Sequence, residues 1–282
     1  MARNRRSNRL PLHLPFFEDI PTSHSVVRLE PETDGSYTVI IDGMESSHIH
    51  PDPEHLVFEY MRWIALIMTT TYPSETALNI AHLGGGAASL PRALAHHFPA
   101  SRNSVIELDA KLINLVREWV DLPPSPRVAI REGDAFAVLP TLRTARFDVV
   151  IRDVFSNSRT PLAMRSLEAA REQRRILNDD GMFLANIAMD RDQHELADEI
   201  VTLREVFGEI ELIAEPSAIK KRRRSNCIAV YAPGGLSDDA RRAIRTDAVT
   251  VRTLDKKTVD KLASGGSVVE LGGNANAATV GH

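Results

Sequence analysis

A second cysteine is missing from this chain. Cys227 stands alone among 282 residues, which excludes an internal disulfide framework, and one thiol cannot build a zinc site. Long apolar runs are missing too: no stretch of about eighteen residues, the length a membrane span needs, is apolar throughout. Neither charge sign dominates. Lys and Arg number 34 and Asp and Glu 38, a net charge of -4, so no overall field marks the chain for nucleic acid. Arg3, Arg5, Arg6 and Arg9 crowd the start, but no apolar run follows them, and a secretory signal is not expected. There is no internal repeat. What remains is an ordinary globular composition, 43% hydrophobic and 26% charged, in a chain long enough for one large or two small domains. The expectation is a cytoplasmic protein with no membrane segment, no metal and no nucleic-acid partner.

What is present centres on residues 78–91, LNIAHLGGGAASLP. A short apolar segment runs into Gly84, Gly85 and Gly86, then into small residues and a helical pattern. This predicts strand, tight turn, helix. Glycine adopts the backbone angles such a turn needs and lets a ligand approach the main chain. The helix beyond it offers unpaired N–H groups and a positive dipole end. A second segment, 104–108, contains Glu107, twenty-one residues after Gly86. That is the offset expected of an acid reaching a nucleotide ribose from the end of the next strand.

Taken in order, residues 1–21 are rich in arginine and proline without period and predict a disordered basic arm. Residues 22–51 predict a small β-element, a hairpin of strands 25–29 and 37–41 around Asp34-Gly35, the second strand ending at Asp42-Gly43. Asp52-Pro53-Glu54 predicts a helix start, with Val57, Tyr60, Met61, Ile64 and Met68 on its buried face. Strands are then expected at 78–83, 104–108, 127–130, 147–152 and 182–187. Helices are expected at 88–97, 110–120, 135–142, 161–177 and 191–207, the last opened by a capping box of Asp190 and Gln193. Strands separated by helices imply right-handed crossovers and a parallel sheet. Strands 209–214 and 226–231, with no helix between them, close it as an antiparallel hairpin. The fold class is therefore α/β: a doubly wound, mostly parallel sheet of seven strands, Rossmann-like, with a small N-terminal β-hairpin element. Residues 52–234 form its nucleoside-binding domain, and 235–282 a short helix, 237–245, followed by a fraying tail from 265. Ligands bind such sheets beyond the carboxyl ends of the strands, where the glycine turn, Glu107, Asp134 and Asp153 all fall.

The glycine string GGGAAS lacks the last glycine of the G-x-G-x-x-G fingerprint and does not suit a NAD site. Four features follow it in order: Val105-Ile106-Glu107-Leu108-Asp109, Glu132-Gly133-Asp134-Ala135, Phe147-Asp148-Val149-Val150-Ile151-Arg152-Asp153 and Asp180-Gly181-Met182. The series resembles the spermidine synthase (polyamine aminopropyltransferase) family, on the methyltransferase fold that binds S-adenosylmethionine, over about residues 36–233. The resemblance implies a transferase that binds decarboxylated S-adenosylmethionine and passes its aminopropyl group to an amine, in polyamine biosynthesis. It implies a glycine loop at Gly84, Gly85 and Gly86, a ribose-binding acid at Glu107, an adenine-facing turn at Asp134 and Ala135, a catalytic acid at Asp153, and a homodimer. The residues suit these roles: a carboxylate accepts both ribose hydroxyls or an exocyclic amine, and Asp153 could take a proton from an attacking ammonium.

Two departures stand beside the resemblance. An aspartate is usual after the three glycines, where this chain has Ala87, and a second acid is usual where it has Ser156. Each lost carboxylate removes a charge-assisted contact worth roughly 1.5–3 kcal/mol. Two alternatives follow: a methyltransferase using intact S-adenosylmethionine, and a nucleoside-binding or scaffold protein without turnover. Other clusters read as structure. Asp109 is balanced between capping the next helix and touching ligand. His48, His50 and His55 read as a solvated loop because no Glu or Cys completes a ligand set. His96 and His97 read as a helix C-terminus, Asp148 as a turn acid, residues 220–224 as a solvated basic turn, and Cys227 as inert packing.

Overall fold

Turn residues cut the chain into short elements, and the computed structural model follows those cuts closely. It describes residues 13–190, 192–220 and 224–272. The chain divides after Ala135 into two compact units.

The first unit opens with four antiparallel strands in sequential order, β1 (Ile20–Pro21), β2 (Val26–Pro31), β3 (Tyr37–Ile41) and β4 (Met44–Ile49). The expected hairpin is thus half of a sheet. Asp42-Gly43 ends β3 as expected, but the chain does not leave the sheet there: both residues take positive φ, 50° and 77°, and this two-residue turn carries it back as β4. Val27, Leu29, Tyr37 and Val39 alternate onto one face and are buried. They share a cluster with Leu14, with Ala87 and Ala88 beyond the glycines, and with Leu112, Val116 and Trp119. Residues 1–12 of the expected arm lie outside the described residues. Leu14, Phe16 and Ile20 pack into this cluster and Ile20–Pro21 form β1, which corrects the reading of 13–21 as disordered.

Helix α1 (Glu59–Thr71) begins later than expected. Asp52 does cap, but only a single turn, accepting from the Glu54 amide at 3.0 Å. The apolar repeat that sustains a helix begins at Tyr60, and Val57 is exposed. After α1 come β5 (Asn79–Leu83), α2 (Ser89–His97), β6 (Arg102–Glu107), α3 (Ala110–Trp119) and β7 (Val128–Glu132). Strand β6 pairs parallel with both β5 and β7.

A short α4 (Ala135–Val138) and a 3-10 turn (Leu139–Thr141) lead into the second unit. There β8 (Phe147–Arg152) is followed by α5 (Leu162–Arg165), α6 (Leu167–Ile176), β9 (Leu177–Met189) and α7 (His194–Phe207). Next come β10 (Glu211–Ala214), α8 (Pro216–Ile219), β11 (Ser225–Tyr231), α9 (Asp238–Arg245), β12 (Arg252–Thr253) and α10 (Lys256–Ala263). Strands β8 and β9 are parallel; β9–β11, β11–β10 and β10–β12 are antiparallel. Beyond the N-terminal sheet the described residues hold eight strands, three in the first unit and five in the second, against seven expected. The extra one, β12, is too short to carry a period.

The expected helix 161–177 is two helices, because Ser166 caps α6 by accepting from the Ala169 amide at 3.2 Å. The expected Asp190–Gln193 capping box does not form. Gln193 turns its amide to the Ala218 carbonyl at 3.2 Å, and Asp190 pairs with Arg159 and Arg224. Arg191, where that helix was expected to start, and residues 221–223 of the basic turn lie outside the described residues. The single-turn α8 interrupts the connection that was expected to hold no helix. Residues 273–282 of the tail lie outside the described residues, but 265–271 do not fray. A Cβ on Gly266 would stand 2.5 Å from the Ala197 carbonyl of α7. The Ser267 amide donates to Asp198, the Val269 amide to Thr202, and the Leu167 amide of α6 to the Val269 carbonyl. The strap thereby satisfies the Leu167 amide, one of the N–H groups that a helix start leaves open. No helix of the described residues is long and apolar enough to cross a membrane.

Candidate nucleoside-binding and transfer site

In the first unit the candidate residues begin at the end of β5. Ile80, Ala81 and Leu83 are wholly buried, and the chain then turns through Gly84 at φ 87° and Gly86 at φ 49°, angles that L side chains rarely adopt. Gly85 needs its missing Cβ for another reason: that atom would lie 2.5 Å from Val105 Cγ1. The Ala88 amide donates to the Gly85 carbonyl at 2.8 Å and closes the turn into α2. The parallel register sets Leu83 beside Ile106, which brings Glu107 to the loop. Its Oε2 accepts from the amides of Gly85 at 3.0 Å and Gly86 at 2.9 Å; Oε1 accepts from the Asp109 amide at 3.1 Å. The Gly133 amide donates to the Glu107 carbonyl at 2.9 Å, so exposed Asp134 and buried Ala135 follow directly on that contact. Of the residues expected here, Gly85 and Gly86 bond Glu107 directly and Gly84 bonds the Ile106 carbonyl beside it, with Asp134 and Ala135 one step along the chain.

Strand β4 covers the loop, which sequence reasoning missed because Ser46-Ser47 carries no pattern. Ser47 Oγ accepts from the Ala87 amide at 3.2 Å, and Ser89 Oγ donates to the His48 carbonyl at 2.9 Å. Ala87 is fully buried. Asp109 proves to be a fastening residue. It caps α3 by accepting from the Leu112 amide at 2.9 Å and accepts from the Ser23 and His24 amides and the Thr22 hydroxyl. Burial opposes its charge, yet these donors, led by Thr22, outweigh burial and hold the carboxyl down to about 2. A second missed residue is His82, buried in β5, whose Nε2 pairs with Asn103 Oδ1 at 2.9 Å; burial lowers it to about 4 despite that contact. The visible signal was a histidine inside an apolar strand.

In the second unit, half-buried Asp153 follows β8 directly, and its Oδ1 accepts from Asn186 Nδ2 of β9 at 2.8 Å. Asn186 was also missed; a lone amide within MFLANIAM was the available sign. Ser156 opens a tight turn. Its amide and carbonyl pair with those of Arg159 at 2.8 and 3.1 Å, and Asn157 and Ser158 between them take φ 50° and 64°. Arg159 reaches Glu195 at 3.0 Å and Asp190 at 3.4 Å. Asp148 accepts from Asn178 at 2.6 Å, and Cys227 is buried, its thiol pushed far above the ordinary range by burial. The rings of His50 and His55 lie 4.3 Å apart, tilted by 34°, while His48 is buried in β4 and bonds Ser36 at 3.1 Å, which corrects its reading as part of a solvated loop. No group of three His, Cys, Asp or Glu among the described residues is arranged to hold a metal.

A glycine turn after the first parallel strand, an acid ending the second and an N-terminal antiparallel sheet together define a Rossmann-like fold of the S-adenosylmethionine-dependent methyltransferase superfamily, in the form seen in spermidine synthase. The chain is 34% identical to a probable spermidine synthase from Corynebacterium glutamicum, whose crystal structure superposes with a TM-score of 0.87 over 94% of this chain and 100% of that one. It belongs to the spermidine synthase (polyamine aminopropyltransferase) family. A polyamine aminopropyltransferase of Vibrio vulnificus is 27% identical over 161 residues, 56% of this chain and 52% of that protein. An N-terminal histidine N-methyltransferase of Emericella nidulans is 25% identical over 173 residues, 59% of this chain and 30% of that protein. The chain thus spans about half the length, or less, of these curated relatives. No family model matches it.

Proposed function

We propose that this protein is an aminopropyltransferase: it binds decarboxylated S-adenosylmethionine and passes the aminopropyl group to an amine. The observation that carries the reading is the contact of Glu107 with the Gly85 and Gly86 amides, in a chain 34% identical to a probable spermidine synthase. Three backbone amides already fill Glu107, out of roughly four lone-pair positions on a carboxylate. A ribose diol therefore displaces at least one amide, and the amide released at the loop is free to meet the ligand. Gly84, Gly85 and Gly86 admit the nucleoside close to the main chain. Asp134 accepts from the adenine amino group, and Ala135 begins the short helix behind it.

The amine nitrogen attacks the aminopropyl carbon bound to the sulfonium. A C–N bond forms, the C–S bond breaks, and methylthioadenosine leaves with the electron pair. Asp153 takes the proton from the nitrogen, its carboxylate held by Asn186. Positioning supplies much of the rate in such an in-line displacement. Asp153→Asn keeps the shape and removes the charge; turnover is expected to fall at least about a hundredfold while methylthioadenosine affinity holds. An active Asp153→Asn enzyme would assign the base elsewhere.

Methyl transfer from intact S-adenosylmethionine is the second reading. Ala87 favours it, because an alanine at this position offers no carboxylate to an aminopropyl ammonium, and so does the similarity to a histidine N-methyltransferase. Calorimetry with both nucleosides separates the two readings.

A further inference from the structure

Arg152 is the last residue of β8 and stands immediately before Asp153. It is 1% exposed, and its guanidinium forms an ion pair with Glu199 of α7, also 1% exposed. Its Nη1 donates to the Met164 carbonyl of α5 at 3.1 Å. A guanidinium this deeply buried calls for a counter-ion beside it, and neither partner can leave without stranding the other.

The topology gives the pair a consequence. The chain leaves β8 at Arg152, makes the loop 153–161 that begins with Asp153, and returns to regular structure at Leu162 in α5. Arg152 carries one end of that loop on its own backbone and grips the other end through Met164. Glu199 ties the same guanidinium to α7. Contacts further out, from Arg159 to Glu195 and Asp190, involve a half-exposed guanidinium and are screened by water.

We propose that Arg152 is a positioning residue for Asp153: with Glu199 it closes the base of the 153–161 loop and fixes the main chain that carries the carboxylate. Asn186 orients the carboxylate itself; Arg152 and Glu199 touch neither amine nor nucleoside. The catalytic consequence rests on the transferase reading, whereas the closing of the loop does not.

Arg152→Met alone takes from buried Glu199 the cation bonded to it, leaving only the field of Arg165, and is a poor test. The double substitution Arg152→Met with Glu199→Leu removes both charges at similar volume, a change that buried pairs tolerate. Arg152→Lys keeps a cation against Glu199 but lacks the fork that reaches Met164 at the same time. Hydrogen–deuterium exchange of residues 154–160 is measured in the full chain of all three proteins, beside calorimetry with methylthioadenosine. The expected result is exchange at least about tenfold faster in the double variant and several-fold faster in Arg152→Lys. Exchange in β5, β6 and β7 and nucleoside affinity stay unchanged. If the wild type transfers an aminopropyl group, kcat falls about tenfold or more with the nucleoside KM unmoved. Unchanged exchange across the loop in either folded variant overturns the proposal, whatever the activity. Faster exchange in a protein that transfers to no amine sinks the transferase reading and leaves the positioning of the loop intact.

Discussion

Glu107 accepts from the Gly85 and Gly86 amides, so its substitution reports on the glycine loop and on the proposed ribose contact together. Glu107→Ala frees the Gly85 and Gly86 amides and removes the ribose acceptor; methylthioadenosine affinity is expected to fall by roughly 1–3 kcal/mol, read by calorimetry on a folded variant. An unchanged affinity would reject the site. At position 87 the expected effect is on folding. Ala87 is fully buried against Val27, Leu29 and Trp119, so Ala87→Asp places a carboxylate in an apolar cluster and is expected to lower the unfolding midpoint sharply. A variant as stable as wild type, with tighter amine binding, would show that the side chain escapes to the ligand. His82 sets a pH limit. Burial holds its folded pKa down to about 4 against an ordinary 6.5. Between those values the unfolded chain takes the proton and the folded one refuses it. This contribution is therefore complete above about pH 6.5 and is lost as pH falls toward 4, on the order of 3 kcal/mol across the window. Denaturant midpoints at pH 7.5 and 4.5 are expected to converge in His82→Gln; an identical pH slope in both proteins would mean that the folded imidazole protonates freely.

Single elements bear out some expectations and correct others for identifiable reasons. Strand, glycine turn, helix and acid-ended strand were legible at 78–107 because each carries a local signal: apolar run, glycines, helical period, terminal carboxylate. The closing antiparallel pair β10–β11 was legible for the same reason. The four-stranded N-terminal sheet was not, since β4 reads as polar, MESSHI, until it is seen lying over Ala87 and Ser89. Asn186, His82 and Arg152 were out of reach because each is polar within an apolar strand, and its meaning depends on a partner distant in sequence. The strap 265–271 was read as a fraying tail from its glycines, one of which, Gly266, is there to let the backbone lie on α7. Gly266→Val is expected to eject the strap, lower stability by about 1–3 kcal/mol, and expose the Leu167 amide to exchange. Protection of Leu167 in a variant of wild-type stability would contradict that role.

For the whole molecule, family membership fixes the fold and leaves the transferred group to experiment. The first unit carries the residues that the family resemblance implies for a nucleoside: three glycines, Glu107 and Asp134. Ala87 lies in the core of the first unit and Ser156 in a tight turn of the second, two positions where the resemblance implies carboxylates, while Asp153 stands bonded to Asn186. A polycation such as putrescine is accordingly expected to be a poor acceptor, since each missing carboxylate costs roughly 1.5–3 kcal/mol of charge-assisted contact. The most direct measurement incubates the protein with decarboxylated S-adenosylmethionine and a panel of mono- and diamines, following methylthioadenosine release and the mass of the amine. The account predicts that methylthioadenosine appears in step with an amine heavier by one aminopropyl group, in wild type and not in Asp153→Asn. Transfer of a methyl group from intact S-adenosylmethionine, with no methylthioadenosine formed from the decarboxylated nucleoside, would contradict it.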